Sequence, residues 1–498
     1  MNDRRAPSMT ESEQESLDPG DWSEFRALAH RAVDDMVDHL QTIREKPVWQ
    51  PAPPEVIAQF QRPLPRTPQG AAAAYADFRA WVQPWQLGNT HPRFWSWFMG
   101  NGTPFGALAD YLAATMNPNV GGGNHIGNHV ELQVIDWCRQ MMGLPPGTGG
   151  LLVSGGSMAN LVGLAVARTA GAGVDVRRLG LAALPAPLRF YASTEVHSCV
   201  QKALELLGHG AESLVRLPVD GDYRLQIDQV AARIAADRAA GLQPCAVIGN
   251  AGTINTGAVD DLVAIADLCQ RERLWFHVDG AIGAVLAISE QHRAQVSGIE
   301  RADSVALDLH KWLHVPFEAG CVLMRDTAQH RETFSLIPAY LKRSERGIAA
   351  GGHWFSDYGI QLSRGFKALK IWLSLKEHGI ERFARMIDRN IGQAQTLCRL
   401  IAREPELELM AAAPLNIVCF RYLAAGYSDT ALDAFNEELL VRLHESGVAA
   451  PSYTTLKGRY CIRVAISNHR TRDEDLQLLV ETVLAQGRAL ASAPACAD

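Results

Sequence analysis

Between residues 244 and 279 the chain reads PCAVIGN, AGTINTGAVDD, LVAIADLCQRE and RLWFHVD in succession. The first and last of these are short apolar runs of strand length, whereas the third spaces its apolar residues like one face of a helix. Strand, loop, helix and strand in so short a stretch match one right-handed crossover, which places the two strands parallel in one sheet. The same alternation begins near residue 90 and predicts an α/β fold, a mostly parallel sheet with helices on both faces. Ligands in such sheets lie at the carboxyl ends of the strands, where Asp279 falls.

The flanks read differently. Residues 1–20 are polar and form a flexible tail in this reading. From Trp22 to Arg44 apolar residues recur at helical spacing (Phe25, Leu28, Ala32, Val33, Met36, Leu40), and a proline-rich connector follows. Residues 21–90 carry too little apolar surface to fold alone, so they are expected to pack on the rest of the molecule or on a second subunit as a dimerisation arm. Residues 91–375 form the large domain. Residues 376–498 read as a smaller α+β domain, in which the helical ERFARMIDRNIGQAQTLCRLIAR precedes strand-like NIVCFRY and RYCIRVAIS.

Composition excludes several function classes. A chain of 498 residues with 47% hydrophobic content is neither disordered nor fibrous. Lys and Arg total 47 against 54 Asp and Glu, and neither end carries a basic block, which argues against a nucleic-acid partner. No apolar stretch approaches the ~20 residues of a membrane span, and the N-terminus lacks the apolar core of a signal peptide. Nine cysteines without a CxxC pair point to reduced thiols and a cytoplasmic location.

Four segments could carry chemistry. In LLVSGGSMANLVGLAVAR (151–168) a strand runs into Gly155, Gly156 and Ser157 and a helix starts at once, which aims backbone N–H groups at any anion in the turn. Taken alone it is equally an ordinary strand-to-helix turn. In SVALDLHKWLHVPFEAGCVLMR (304–325), Lys311 lies among apolar neighbours between strand-like runs, and a desolvated lysine is nucleophilic toward carbonyls. Most isolated lysines are surface residues. HVDGAIGA (277–284) puts Asp279 at a strand end before small residues that leave a floor for a planar ring, or it is a capping aspartate. STEVHSCVQKA (193–203) puts His197 at a helix start, where imidazole can stack on a ring or pass a proton, or be a core histidine. His125 and His129, like His310 and His314, have i, i+4 spacing but no accompanying Glu or Cys set, so a metal site is not expected.

The order of glycine-serine turn, histidine, aspartate and lysine, with HVDGA and LDLHKWL, resembles fold-type I pyridoxal-phosphate enzymes. More narrowly it resembles the group II amino-acid decarboxylases, which include aromatic L-amino-acid and glutamate decarboxylases. HPRFWSWF (91–98), NAGTINTGAVDDL (250–262), PAYLKR (338–343) and YGIQLSRGFKALKIWLSLKEHG (358–379) look like segments of the same family, and the resemblance spans roughly residues 75–470.

The resemblance implies pyridoxal 5'-phosphate as cofactor and Lys311 as the amine that binds its aldehyde. Asp279 would keep the pyridine nitrogen protonated, His197 would stack on the ring and Ala281 would allow approach to the other face. Gly156 and Ser157 would take the phosphate, helped by His310, with Asn250 and Asp308 at family cofactor positions. Tyr340 would return a proton to Cα after decarboxylation, since the family position carries phenylalanine where aldehydes are formed oxidatively. Trp97, Phe98 and Met99 would line the substrate pocket.

Three positions depart from the family pattern. Asp308 stands where aromatic decarboxylases often carry Asn, Asn250 where Thr is common, and Gly280 where Ala is usual, the last expected to add room. The implied activity is decarboxylation of an L-amino acid, aromatic because the presumed pocket is aromatic. The active sites are expected at a homodimer interface, with no membrane involvement. Acidic amino-acid decarboxylation, aldehyde synthesis and a silent cofactor-binding scaffold are the alternatives.

Overall fold

The computed structural model describes residues 16–336 and 344–492. Two compact units are distinguished, one of the chain up to Lys46 with Gln50–Leu87, the other of Pro47–Trp49 with the chain from Gly88 onward.

In the first unit Asp21 caps the helix Trp22–Gln41, its carboxylate accepting from the backbone N–H groups of Ser23 at 2.7 Å and Glu24 at 3.2 Å. The expected helix ran to Arg44. The α-helix ends earlier because Thr42 turns both its N–H and its hydroxyl onto the Asp38 carbonyl, and a single 3-10 turn, Ile43–Glu45, leads toward Pro47. Tyr75, on the short helix Ala71–Asp77, donates its hydroxyl to Asp35 at 2.6 Å. Trp22, Phe25, Val33 and Val37 of the long helix are exposed.

The second unit opens with the two-residue strand β1 (Phe94–Trp95) and then builds a seven-stranded sheet. Its strands are β2 (Gly149–Val153), β3 (Leu188–Ser193), β4 (Leu214–Leu217), β5 (Gln243–Asn250), β6 (Trp275–Asp279), β7 (Ser304–Asp308) and β8 (Gly320–Met324), in the order β2-β8-β7-β6-β5-β3-β4. The run from β4 through β3, β5 and β6 to β7 is parallel. β8 is antiparallel to both β7 and β2 because residues 309–319 contain no helix, so the chain turns straight back instead of crossing over. The crossover between residues 244 and 279 is found as β5, the helix Leu262–Glu272 and β6, with Val247 beside Phe276 and Asn250 beside Asp279. Arg273, in left-handed conformation (φ 57°), ends that helix and delays β6 to Trp275. Val247, Val278, Val305 and Leu307 are fully buried in the core.

A second sheet contains β9 (Leu407–Leu409), β10 (Ile417–Tyr422), β11 (Ala450–Leu456) and β12 (Arg459–Ala465), with strand order β1-β11-β12-β10-β9. β1 joins it parallel to β11, pairing Phe94 with Ala450, while the other pairs are antiparallel. Leu397, Phe420, Leu439 and Leu479 fill its core beneath the helices Ile380–Ile401, Asp429–Glu445 and Asp473–Ser492.

Candidate active site

At the carboxyl ends of β5, β6 and β7 lies a cavity of about 400 Å³ lined by Gly156, Ser157, His197, Asn250, Asp279, Ala281, Asp308, His310 and Lys311. Strand ends position most of these residues. Asp279 ends β6 and Asp308 ends β7, while His197 caps the helix Ser198–Leu206 that follows β3. The helix Gly156–Gly171 starts directly after β2, so its free N–H groups face the cavity.

Lys311 and Asp308 form an ion pair, Nζ to Oδ2 at 2.8 Å, with the carboxylate side chain only 2% exposed. The second oxygen, Oδ1, is buried without a hydrogen-bond partner among the described residues, and His310 Nε2 stands 3.7 Å away from it. His310 Nδ1 accepts from the Ala319 N–H at 3.1 Å, which assigns the proton to Nε2, on the side of Asp308. His197 is fixed likewise, its Nδ1 accepting from the Cys199 N–H at 3.2 Å, which leaves Nε2–H for the cavity. Burial lowers the proton affinity of both imidazoles, so both are neutral near pH 7. The same burial pushes the Cys199 thiol beside them up to about 12, so it is no thiolate nucleophile. Asp279 is oriented by the Ala281 N–H, which donates to Oδ1 at 3.2 Å.

The glycines of the first turn are a steric requirement. A Cβ on Gly156 would lie 2.9 Å from Asp308 Oδ2 and 3.1 Å from the Ala281 methyl group, and one on Gly155 would come 3.1 Å from the His310 ring. Gly280 differs from its expectation: it opens no room, because a Cβ there would meet the Ala284 methyl group at 2.5 Å and the Ala306 carbonyl at 3.0 Å. Close packing between the β6 exit and β7 uses that space.

Other expected residues are placed less directly. Asn250 reaches the cavity wall, but its amide nitrogen donates to Asp260 Oδ2 at 3.0 Å and Ser193 Oγ at 3.2 Å, so its hydrogen bonds tie β5 to its surroundings. Trp97, Phe98 and Met99 do not line this cavity. Phe98 is buried edge-on against Trp312 at 6.0 Å, Trp97 is exposed, and Met99 packs on Val48, Phe94 and Ala450. Tyr340 lies outside the described residues. His314 is buried against His469 with ring centroids 5.0 Å apart, and the described residues contain no cluster of metal-ligating groups.

Several lining residues escaped sequence reasoning: Glu195, Asn160, Ile254, Phe317 and Glu318. Asn160 lies one helical turn after Gly156, which a helical projection of the glycine turn would have shown. Phe317 and Glu318 occupy the loop between the β7 and β8 runs, on the same side of the sheet as Lys311. Glu195 had no signal beyond lying two residues from His197.

The pyridoxal-dependent decarboxylase conserved domain matches residues 53–423. An aromatic-L-amino-acid decarboxylase of Bacillus atrophaeus is 35% identical over 463 residues, covering 92% of this chain and 94% of that one. A phenylacetaldehyde synthase of Arabidopsis thaliana is 28% identical over 479 residues, covering 93% and 95%. A crystal structure of Oryza sativa TDC with PLP and tryptamine superposes with a TM-score of 0.88 at 26% identity, covering 96% of this chain and all of that one.

Proposed function

Since the chain belongs to the pyridoxal-dependent decarboxylase family and is a pyridoxal-phosphate-dependent amino-acid decarboxylase, we propose that its substrate is an aromatic L-amino acid and its products the amine and carbon dioxide. The observation that carries the site assignment is the convergence of Lys311, Asp279, His197 and the Gly156–Ser157 turn on one cavity. The residues present fit the cofactor. Gly155 and Gly156 form a cradle that a Cβ would fill, helix N–H groups face it, and the Lys311 amine opens into the same cavity. Pyridoxal 5'-phosphate, when bound, supplies an electron sink for the pair left as carbon dioxide departs.

The chain's own residues then take separate tasks. Lys311 offers the amine that holds the cofactor, with Asp308 as its counter-ion beforehand. Asp279, oriented by the Ala281 N–H, would hold a proton on the cofactor's ring nitrogen. His197 presents Nε2–H to the cavity as a neutral donor, which would orient a substrate carboxylate without adding charge. Gly156 and Ser157 would offer N–H groups to the phosphate, with His310 lining the same cavity. Tyr340 is the proposed donor of the proton to Cα.

An aromatic substrate is supported by the lining. Phe317, Ile254, Ile282 and Met158 give apolar wall, Glu195 and Glu318 are carboxylates, and Lys311 is the one cation among the lining residues described. An acidic side chain would find no cationic partner among those residues other than the lysine the cofactor requires. Homodimerisation is supported by the exposed Trp22, Phe25, Val33 and Val37, which a second copy would cover. A cytoplasmic location is supported by the eight described cysteines, all free thiols. Purified enzyme should be given a panel of L-amino acids and scored for carbon dioxide, amine, aldehyde and peroxide. Amine and carbon dioxide from aromatic members are expected; aldehyde with peroxide as the main product, or preference for glutamate or aspartate, would overturn the reading.

A further inference from the structure

One wall of the cavity is gripped from behind by a buried lysine. Lys370, in the first turn of the helix Lys367–His378, has a side chain only 5% exposed, yet two of its ammonium bonds are made to identifiable acceptors. It donates to the Phe317 backbone carbonyl at 2.9 Å and to Asp110 Oδ2 at 3.1 Å, on the helix Pro104–Met116. Phe317 and Glu318 line the cavity, and the Phe317 ring lies on the His310 imidazole with centroids 4.4 Å apart. One turn earlier, Lys367 stands 4.0 Å from Glu318, a looser and more exposed contact. An ammonium removed from water is held only where its partners repay its lost hydration, and a charge-assisted bond to a carbonyl fixes that peptide in place. The loop bearing Phe317 contains no helix or strand of its own to hold it.

We propose that Lys370 is a positioning residue that sets substrate selectivity by holding the Phe317–Glu318 wall against the substrate's side chain. The inference rests on the reading of this cavity as the amino-acid site. The ammonium's hydrogen bonds go to Phe317 and Asp110 and not to the cofactor cradle or Lys311, so its loss is expected to act on the wall, and through it on substrate binding, before it acts on cofactor binding. Displacing an aromatic wall by a fraction of an ångström weakens the hold on a flat side chain more than on a small one.

The test compares wild type, Lys370→Met, Lys370→Arg and Phe317→Leu, all loaded with cofactor, across a series of aromatic and aliphatic L-amino acids. In Lys370→Met, KM for the aromatic substrates is expected to rise about tenfold with kcat within about twofold, and cofactor occupancy read from visible absorbance should be unchanged. Lys370→Arg should restore most of the loss. The double variant Lys370→Met/Phe317→Leu should be no worse than the worse single variant, because both act on one wall. Should Lys370→Met fail to fold, Asp110→Asn, which removes the half-exposed partner, is expected to raise the same KM about threefold. Unchanged KM in these variants, additive losses in the double variant, or a fall in cofactor occupancy matching the fall in activity would overturn the proposal. Wild type that turns over no aromatic amino acid would instead overturn the substrate assignment.

Discussion

His277 and Asp279 sit two residues apart on the same face of β6, and their surroundings are opposite. His277 is fully buried, with Nε2 on Asn160 Oδ1 at 2.8 Å and Nδ1 on Ser304 Oγ at 2.7 Å, while Trp275 Nε1 donates to that same Ser304 oxygen. Every polar atom of the ring is satisfied within the protein. Asp279 lies one step further along the strand, past the start of the overlying helix at Gly156, and opens onto the cavity. The helix covers the first and stops short of the second. Identical strand chemistry thus becomes scaffold where its hydrogen bonds close inside the fold and becomes a site where they are left for a ligand.

If that contrast is right, changes at the open end should remove chemistry, and changes at the covered end should remove stability. The largest effect is expected for Lys311→Ala, which should lower turnover at least about 1,000-fold and abolish the visible absorption of the bound cofactor. A retained band would show that the site is elsewhere. Asp279→Asn should cost about 100-fold in kcat while the melting temperature stays near that of wild type, because the partner proposed for the carboxylate is the cofactor's ring nitrogen and an amide oxygen can still accept from the Ala281 N–H. Gly156→Ala is expected to weaken cofactor binding about tenfold in an absorbance titration, since its methyl group would press on Asp308 and Ala281.

The smallest effect on activity belongs to the covered end. Burial lowers the His277 pKa to about 3 from the ordinary histidine value of 6.5, so the unfolded chain binds this proton more readily than the folded one. The neutral ring's contribution is therefore complete above about pH 6.5 and is lost as pH falls toward 3, at up to about 1.4 kcal/mol per pH unit. His277→Asn should be less stable than wild type at pH 7.5, flatten the acid-side decline seen in urea unfolding, and keep kcat within about twofold. A large fall in kcat with unaltered stability would erase the distinction between the two ends.

Much of this site could be read before any coordinates. Lys311, Asp279, His197 and the Gly156–Ser157 turn each stood out as local patterns (a strand followed by glycines, a carboxylate at a strand end, a histidine opening a helix), and the family resemblance favoured them over their ordinary structural readings. Local geometry carries such signals because a strand end or a helix start is set by neighbouring residues. Phe317 and Glu318 were missed for the converse reason. Nothing in HVPFEAG distinguishes a surface loop from a cavity wall until Lys370, more than fifty residues later, is seen to hold the Phe317 carbonyl. The expectation that Gly280 adds room failed in the same way, since Ala284 and the Ala306 carbonyl occupy the space a side chain would need.

Trp97 and Phe98 mark the limit of reasoning from family position within one chain. Phe98 is committed to Trp312, and Trp97 is exposed and does not line the cavity that holds Lys311. β1, which immediately precedes them, joins the second sheet through Ala450, a pairing across some 350 residues that no local pattern announces.

By itself the sequence determined the α/β alternation and the helix and strand positions near the candidate site, and, through the family resemblance that its motifs carry, the cofactor. The tertiary structure alone decided which strand-end groups stay unsatisfied, which glycines are obligatory, and which distant lysine secures the cavity wall. Periodicity and caps are written between residues a few positions apart, whereas burial and hydrogen-bond closure depend on partners that only folding brings together.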